Sequence, residues 1–287
     1  GREGFGERVT STRVDLERLD TLMDLVGELI ISRIKLASIA GQIESKALSE
    51  ELSSSGRLIS EIQKEVMEAR LIPVGQIFER FKRLVRDSSK ELGKNASLNI
   101  AGAEIGLDRT ILEAMVDPIV HLLRNAIVHG IESPEERKRL GKAEVARIVL
   151  SAKRDRNFVV IQVTDDGRGI DRAKVMEKSG TVGEDRDLAG MSDEELCSIL
   201  SSSGFSTRDE VSRFSGRGVG MDVARKAGDA LGGSLTVHSE PGIGTVVSLQ
   251  LPINLSIINA LLFEICDEVH AMPAEYVSET SRVERES

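Results

Sequence analysis

Two apolar repeats with helical spacing occupy the first quarter of the chain. Between residues 19 and 37 apolar side chains recur at intervals of three and four, and between residues 48 and 69 they keep a four–three alternation. A polar break at 41–45 separates the two runs, and Pro73 follows the second. The pattern predicts two long helices that form a hairpin, and one hairpin alone cannot bury both of its apolar seams.

We therefore predict a glycine-rich polar linker at residues 1–12 and a helical hairpin at residues 13–72. Two copies of the hairpin would bury their seams in a four-helix bundle, which would make the chain a homodimer. The alternative is an internal helical layer that packs on the next domain. The regular heptads and the abrupt end at Pro73 favour the dimer.

Residues 73–252 mix helical and strand periodicities. Pro118 is expected to kink one long helix or to mark a helix start. Residues 132–143 are expected to form a charged connection, and the acidic–basic run at 135–142 is expected to be solvated. The pattern predicts helices at 77–93, 107–131, 171–178 and 193–200, a helix that ends near 231, and strands at 96–101, 146–153, 158–164, 234–239 and 245–251.

This order predicts the α+β class, with a sheet covered by helices. Residues 179–215 are rich in Ser, Gly and Asp, and a stretch of this kind inside a domain is typical of a lid or of disorder. After residue 252, a strand pair at 260–264 and 269–272 predicts the start of a further β segment, 253–287, that the chain does not complete.

Composition and charge limit the possible functions. The chain is 40% apolar and 30% charged, which is typical of globular proteins, and its formal net charge of −9 argues against nucleic-acid binding through a basic surface. Polar residues interrupt the apolar tract at 243–265, so no direct membrane insertion is expected. Cys197 and Cys266 match no metal or redox spacing, and the N-terminus has no signal-peptide pattern, so we expect a cytoplasmic protein with reduced thiols.

The first candidate for chemistry is a stripe of three polar side chains. His121, Asn125 and His129 are spaced by four residues, so on an α-helix they project from one face. Buried imidazoles and amides need hydrogen-bond partners, which suits a site that coordinates a metal or handles protons. A solvated helix face without function fits this segment equally well.

Three glycine-rich turns follow the stripe. In Asp165-x-Gly-x-Gly the carboxylate could accept a hydrogen bond from an exocyclic amine, while the glycines allow backbone to approach a flat ring. The turn 216–221 precedes a helix, so its amides could cradle phosphate. The third turn leads from Gly242 to Thr245. Each turn alone is a weak signal, and the chain has neither a P-loop nor the protein-kinase signatures.

The ordered set of motifs resembles the ATP-binding fold shared by histidine kinases, type II topoisomerases, Hsp90 chaperones and MutL repair proteins. Within that group the chain resembles the chemotaxis histidine kinase family CheA. The matching segments are 121–132, 165–171, 204–207 and 215–223. The resemblance implies a Bergerat-type α/β sandwich at 73–252 and the start of a CheW-like regulatory domain at 253–287.

The resemblance also implies ATP and Mg²⁺ as cofactors. Asn125 would bind Mg²⁺ through its side-chain oxygen with His121 close to the metal, and His129 would lie near the transferred group. Asp165 would read the adenine amine. Lys174 and Arg208 would supply charge to the γ-phosphate. The residues expected to contact the nucleotide are Asn125, Asp165, Gly167, Arg168, Gly169, Ser206, Thr207, Gly216, Gly218, Val219, Gly220, Met221 and Thr245.

The expected function is an ATP-dependent protein-histidine kinase core for two-component chemotaxis signalling. Residues 1–120 contain no histidine, so the hairpin cannot carry the phosphorylated residue and the acceptor must lie on a separate phosphotransfer domain. The resemblance adds a CheW-like adaptor as a partner, and recruitment to membrane chemoreceptor arrays. An ATPase clamp and a nucleotide-binding dimeric scaffold remain alternatives. Val128 departs from the family pattern, which leads us to expect an acidic residue before His129.

Overall fold

The computed structural model describes residues 16–41, 43, 45–179, 191–202, 221–253, 260–265, 268–273 and 277–281. It divides into two compact units, Gly1–Leu71 and Ile72–Ser287. Among the described residues, no helix combines the length and the apolar character that crossing a membrane would require.

The first unit is a helical hairpin. Helix α1 spans Leu16–Ala40 and α2 spans Lys46–Arg70. Ser45 caps α2 by accepting a hydrogen bond from the Leu48 amide. The end of α2 lies beside the start of α1, because Arg70 Nη2 is 3.4 Å from Asp20 Oδ1. The buried residues described in the hairpin are Leu19, Met23, Val26, Ala40 and Ile59. All but Ala40 belong to the predicted seams, whereas Ile34, also predicted for the first seam, is 55% exposed.

A second apolar stripe on α1 stays exposed in the single chain. Its members repeat at heptad spacing and are between 45% and 57% exposed: Leu22, Leu25, Leu29, Leu36 and Ile39. On α2, Leu58 and Ile62 are exposed as well. The hairpin therefore buries one seam internally and presents another to its surroundings.

The second unit is an α/β assembly. Its elements are β1 (Leu71–Pro73), α3 (Gly75–Glu91), β2 (Ala96–Ala101), β3 (Gly106–Asp108), α4 (Arg109–Ala114), α5 (Val116–Asn125), a π-helical turn (Ala126–Gly130), α6 (Pro134–Arg139), β4 (Ala146–Asp155), β5 (Phe158–Asp165), α7 (Arg172–Ser179), α8 (Asp193–Leu200), α9 (Met221–Ala230), β6 (Ser234–Glu240), β7 (Gly244–Pro252), β8 (Ala260–Ile265) and β9 (Glu268–Pro273).

A five-stranded sheet of order β2-β4-β5-β7-β6 organises this unit. Strand β2 pairs with β4 in parallel, and the remaining neighbours are antiparallel. Along β5, Val159, Ile161, Val163 and Asp165 alternate as buried positions, so all four point to one face of the sheet. Helices α3, α5, α8 and α9 pack on the sheet strands. Asp165 thus ends a row of core residues, and the predicted α+β class is confirmed.

The predicted helix at 107–131 is divided into three segments. A break at Met115 separates α4 from α5, and the chain widens into the π-helical turn after Asn125. Pro118 lies in the first turn of α5, where its missing N–H has no intrahelical partner to lose. The expectation that the run at 135–142 is solvated is wrong for Arg137, which is buried, and the connection contains helix α6. A capping box between Ser133 and Glu136 starts that helix.

Candidate functional site

The polar stripe lies at the junction of α5 and the π-helical turn. Here Ile131 N–H bonds to the Ala126 carbonyl at 2.8 Å, an i→i−5 bond. His121 and Asn125 lie on α5, and His129 follows inside the π-helical turn. The structure brings the side chains of His121 and Asn125 into direct contact. π-Helical turns inside helices are frequent at functional sites.

His121 and Asn125 form a hydrogen-bonded pair, with 2.9 Å between His121 Nε2 and Asn125 Nδ2. Burial lowers the pKa of His121, with the charges of Arg124 and His129 acting in the same direction and Asp222 opposing them. A neutral His121 accepts the amide hydrogen at Nε2. The amide oxygen of Asn125 is not used in this bond, which leaves it for another partner.

This arrangement fits a hard cation such as Mg²⁺. An amide oxygen is a suitable ligand, and Mg²⁺ is commonly held by one or two protein oxygens together with water and substrate phosphates. In the described part of the chain, no cluster of three or more His, Cys, Asp or Glu residues could hold a metal alone. The Asn125 amide oxygen is therefore one suitable oxygen ligand for such a cation.

Asp165 is a buried carboxylate at the end of β5, with 7% of its surface exposed. Its Oδ1 accepts a hydrogen bond of 2.9 Å from the Gly167 amide. Burial raises its pKa to about 6, although the Gly167 hydrogen bond acts in the opposite direction. Near neutral pH the group is thus an ionised, acceptor-only carboxylate in a largely dry position.

The glycines of this turn are required by close backbone packing. A Cβ on Gly167 would lie 2.2 Å from the Gly130 carbonyl oxygen, so no side chain fits there. Gly169 has a φ of +70°, and its Cβ would lie 2.2 Å from the Glu240 carbonyl oxygen. The turn after β5 therefore lies against the end of the π-helical turn on one side and against the β6–β7 turn on the other.

Thr245 lies directly opposite Asp165 in the β5–β7 ladder and is buried. Its Oγ1 is 3.0 Å from the hydroxyl of Ser239, and that hydroxyl also accepts a hydrogen bond from the Ile170 amide. Ser239 thus ties the glycine turn to β7. Sequence reasoning missed Ser239, because a serine on an alternating strand gives no signal of its own.

The other predicted site residues that the structure describes are Arg168, Lys174 and Met221. Arg168 donates its amide hydrogen to the Gly130 carbonyl, and its side chain pairs with Glu136 at 3.1 Å. Lys174 is 77% exposed and lies 3.5 Å from Asp171. Met221 begins α9 and is partly buried. The predictions for Ser206, Thr207, Arg208, Gly216, Gly218, Val219 and Gly220 fall outside the described residues.

Two further groups of residues support the site and were not predicted. Lys94 Nζ donates hydrogen bonds to the carbonyls of Ile127, Val128 and Ile131 at 2.7–2.8 Å, and so caps the π-helical turn. Burial, followed by the charge of Arg168, lowers the pKa of Lys94. The second group joins Glu132, Arg137, Lys142 and Asp166 in one ion-paired network.

Comparison with known proteins gives two family matches. The model for the histidine kinase-, DNA gyrase B- and HSP90-like ATPase matches residues 114–255, and the model for the signal transducing histidine kinase homodimeric domain matches residues 9–69. The chemotaxis protein CheA of Bacillus subtilis is 42% identical over 276 residues, which cover 95% of this chain and 41% of that protein. The chain belongs to the CheA family. The family predicted from the motifs is thereby confirmed.

Two other CheA relatives show a similar degree of identity to this chain. The sensor histidine kinase CheAY of Helicobacter pylori is 41% identical over 287 residues, covering 96% of this chain and 36% of that protein. The CheA protein of Halobacterium salinarum is 42% identical over 279 residues, covering 96% of this chain and 41% of that protein. The chain thus spans only about two fifths of the length of these CheA relatives.

Proposed function

We propose that this chain is the dimerisation and ATP-binding core of a chemotaxis protein-histidine kinase. It binds Mg-ATP and transfers the γ-phosphoryl group to a histidine on a separate phosphotransfer domain. The observation that carries the proposal is the buried Asp165 carboxylate, which stands beside a glycine turn too tightly packed for any side chain. A carboxylate in this position recognises a flat ring that presents an N–H donor, as adenine does.

The chain's own residues divide the work. Asp165 holds the adenine amine, with Gly167 and Gly169 allowing backbone to approach the ring and Thr245 supporting the same end of the site. Asn125 presents its amide oxygen to Mg²⁺, and neutral His121 keeps the amide turned by accepting its hydrogen. In this role His121 positions the metal ligand; direct ligation by His121 would require the bond between the two side chains to be exchanged.

At the phosphate end, bound Mg²⁺ supplies positive charge that offsets the charge of the phosphates. His129 lies near the transferred group. Lys174 and Arg208 add positive charge at the γ-phosphate. The remaining phosphate contacts come from Arg168, Ser206, Thr207, Gly216, Gly218, Val219, Gly220 and Met221. Phosphoryl transfer depends mainly on positioning and charge neutralisation, so these roles are sufficient for a mechanism.

The proposal also covers the binding partners of the chain and its location in the cell. The homodimer forms through residues 13–72, and the ATP-binding domain covers residues 73–252. Residues 253–287 begin a CheW-like regulatory domain, which would dock a CheW-like adaptor and recruit the kinase from the cytoplasm to membrane chemoreceptor arrays. The chain covers only 41% of its B. subtilis relative. The statements about partners and location therefore rest on the family to which the chain belongs.

Phosphotransfer to a separate domain tests the proposal. The chain, γ-labelled ATP and Mg²⁺ are mixed with a histidine phosphotransfer domain, and acid-labile label is measured on each protein. We expect label on the added domain only when the chain is present, and none when the acceptor histidine is changed to Gln. ATP binding without any transfer would contradict the kinase proposal. Steady phosphate release by the chain alone, abolished by His121→Ala, would indicate an ATPase instead.

A further inference from the structure

Two basic side chains from α6 and the loop after it lie against the turn that follows Asp165. The side chain of Arg137 is 1% exposed and that of Lys142 is 18% exposed, although both come from a charged run that reads as solvated. Glu132, which precedes α6, is 2% exposed. Charged side chains are almost never buried to this extent unless they are paired.

Lys142 uses all of its hydrogen-bonding capacity in this place. Its Nζ lies 2.7 Å from Glu132 Oε1, 2.9 Å from the Asp166 carbonyl oxygen and 2.6 Å from the Gly167 carbonyl oxygen. An ammonium group has three N–H donors and no acceptor, so three oxygens satisfy it completely. Two of those oxygens belong to the backbone of the turn.

Arg137 completes the same network. Its Nη1 and Nη2 donate to the two carboxylate oxygens of Asp166 at 3.1 and 3.0 Å, a bidentate pair. It also donates to Glu132 at 3.0 Å and to the Ala143 carbonyl at 2.6 Å. The positive charges of Arg137 and Lys142 thus neutralise the negative charges of Glu132 and Asp166. Burial alone would raise the pKa of Glu132, but the hydrogen bonds and charge from Lys142, with Arg137, hold it below its ordinary value.

One peptide plane connects Lys142 to Asp165. The carbonyl of the Asp166–Gly167 peptide accepts the hydrogen bond from Lys142, and the N–H of the same peptide donates to Asp165 Oδ1 at 2.9 Å. A peptide unit is planar, so fixing its carbonyl direction fixes its N–H direction. Hydrogen bonds in a chain also polarise and strengthen one another. Lys142 therefore acts on the Asp165 carboxylate through a single rigid group.

We propose that Lys142 is a positioning residue for adenine selection. It holds the Asp166–Gly167 peptide in the orientation that aims the Asp165 carboxylate at the exocyclic amine of the base. The proposal rests on the proposed function, because it presupposes a nucleotide whose amine is read by Asp165. It goes beyond that function by assigning selectivity to a residue that does not touch the nucleotide.

The test compares ADP with IDP, whose base carries an exocyclic carbonyl oxygen, a hydrogen-bond acceptor, in place of the exocyclic amine. Calorimetry gives the Kd of each nucleotide for the parent chain, for Lys142→Met and for Lys138→Met, which removes the same charge from an exposed position on α6. We expect Lys142→Met to raise the Kd for ADP about ten-fold, the loss typical of one hydrogen bond to a charged group. The Kd for IDP should rise much less, so the preference for ADP falls. Lys138→Met should keep the parental preference.

The outcomes are separable. A structural defect would weaken ADP and IDP binding by the same factor, and an unchanged ADP/IDP ratio in folded Lys142→Met would overturn the proposal. If circular dichroism shows that this variant does not fold, Lys142→Gln replaces it. Gln keeps a polar group beside Glu132 but cannot bond all three oxygens, and the ratio of its Kd values for ADP and IDP then tests the proposal. Absence of ADP binding by the parent would instead refute the proposed function.

Discussion

At the scale of single residues, the recognition role proposed for Asp165 comes with a cost to stability. Burial at the end of β5 makes its carboxylate a selective acceptor, because few groups other than an N–H donor can satisfy it there. The same burial raises its pKa to about 6. Near neutral pH the folded protein therefore keeps this carboxylate ionised in surroundings that favour the neutral form more than water does. Conflicts of this kind are common at functional sites.

Changing Asp165 to Asn should stabilise the unliganded protein near neutral pH while weakening ADP binding. The folded-state pKa is about 6 against an ordinary value of 3.8, so ionisation opposes folding above the lower value. The gain from Asp165→Asn should be absent below about pH 4, grow towards pH 6 and stay constant above it. Each pKa unit corresponds to 1.36 kcal/mol, which limits the gain to about 3 kcal/mol.

Urea unfolding at several pH values measures this gain, and calorimetry measures ADP binding. Asp155→Asn, at an exposed position of β4, provides the control and should change the free energy of unfolding by less than about 0.5 kcal/mol. If Asp165→Asn lowered the free energy of unfolding near pH 7, the ionised carboxylate would not destabilise the folded protein, which would contradict the inference from its burial.

At the scale of elements, the π-helical turn depends on a residue distant in sequence. The carbonyls at the end of a helix have no intrahelical partners, and here Lys94 supplies three donors to them from the loop after α3. This cap holds the turn that contains His129 and ends at Gly130, against which the Asp165 turn packs. The position of α3 is thereby linked to the proposed nucleotide site.

Removing the cap should loosen the turn. We expect Lys94→Met to lower the free energy of unfolding by about 2 kcal/mol, since it leaves part-buried carbonyls without a charged donor. The Ile131 amide, which closes the π-helical turn, should exchange its hydrogen faster. Lys90→Met removes an exposed charge from the last turn of α3 and should change neither quantity. Equal exchange rates in both variants would mean that the turn does not need its cap.

The elements that local patterns could predict are those with a strict period. The strands predicted at 146–153 and 158–164 are observed at Ala146–Asp155 and Phe158–Asp165, because alternation reports directly which face is buried. Pro118 predicted the start of α5, but the π-helical turn was not predictable, since the same apolar spacing fits a continuous α-helix. The burial of Arg137 was also missed, because it depends on Asp166, a partner 29 residues away. A contact between residues so far apart in the chain cannot be predicted from local composition.

At the scale of the whole molecule, the exposed stripe on the hairpin requires a partner. Leu25 on α1 is 52% exposed and Ile62 on α2 is 48% exposed in the single chain. Contiguous apolar surface of this kind is typical of an interface. The match of residues 9–69 to a homodimeric domain identifies the expected partner as a second copy. The stripe then becomes the second seam of a four-helix bundle.

Ile62→Glu should therefore disrupt the dimer. Two-fold symmetry places the substitution twice in one interface, so two carboxylates would be buried without partners. We expect the dimer dissociation constant, measured by sedimentation equilibrium, to rise at least about 100-fold, which corresponds to a loss of roughly 3 kcal/mol. Ser60→Glu adds the same charge at an exposed position on the other side of α2 and should leave the dimer intact. A parent chain that sediments as a monomer, or an Ile62→Glu chain that dimerises as tightly as the parent, would contradict the bundle and favour a hairpin that packs within its own chain.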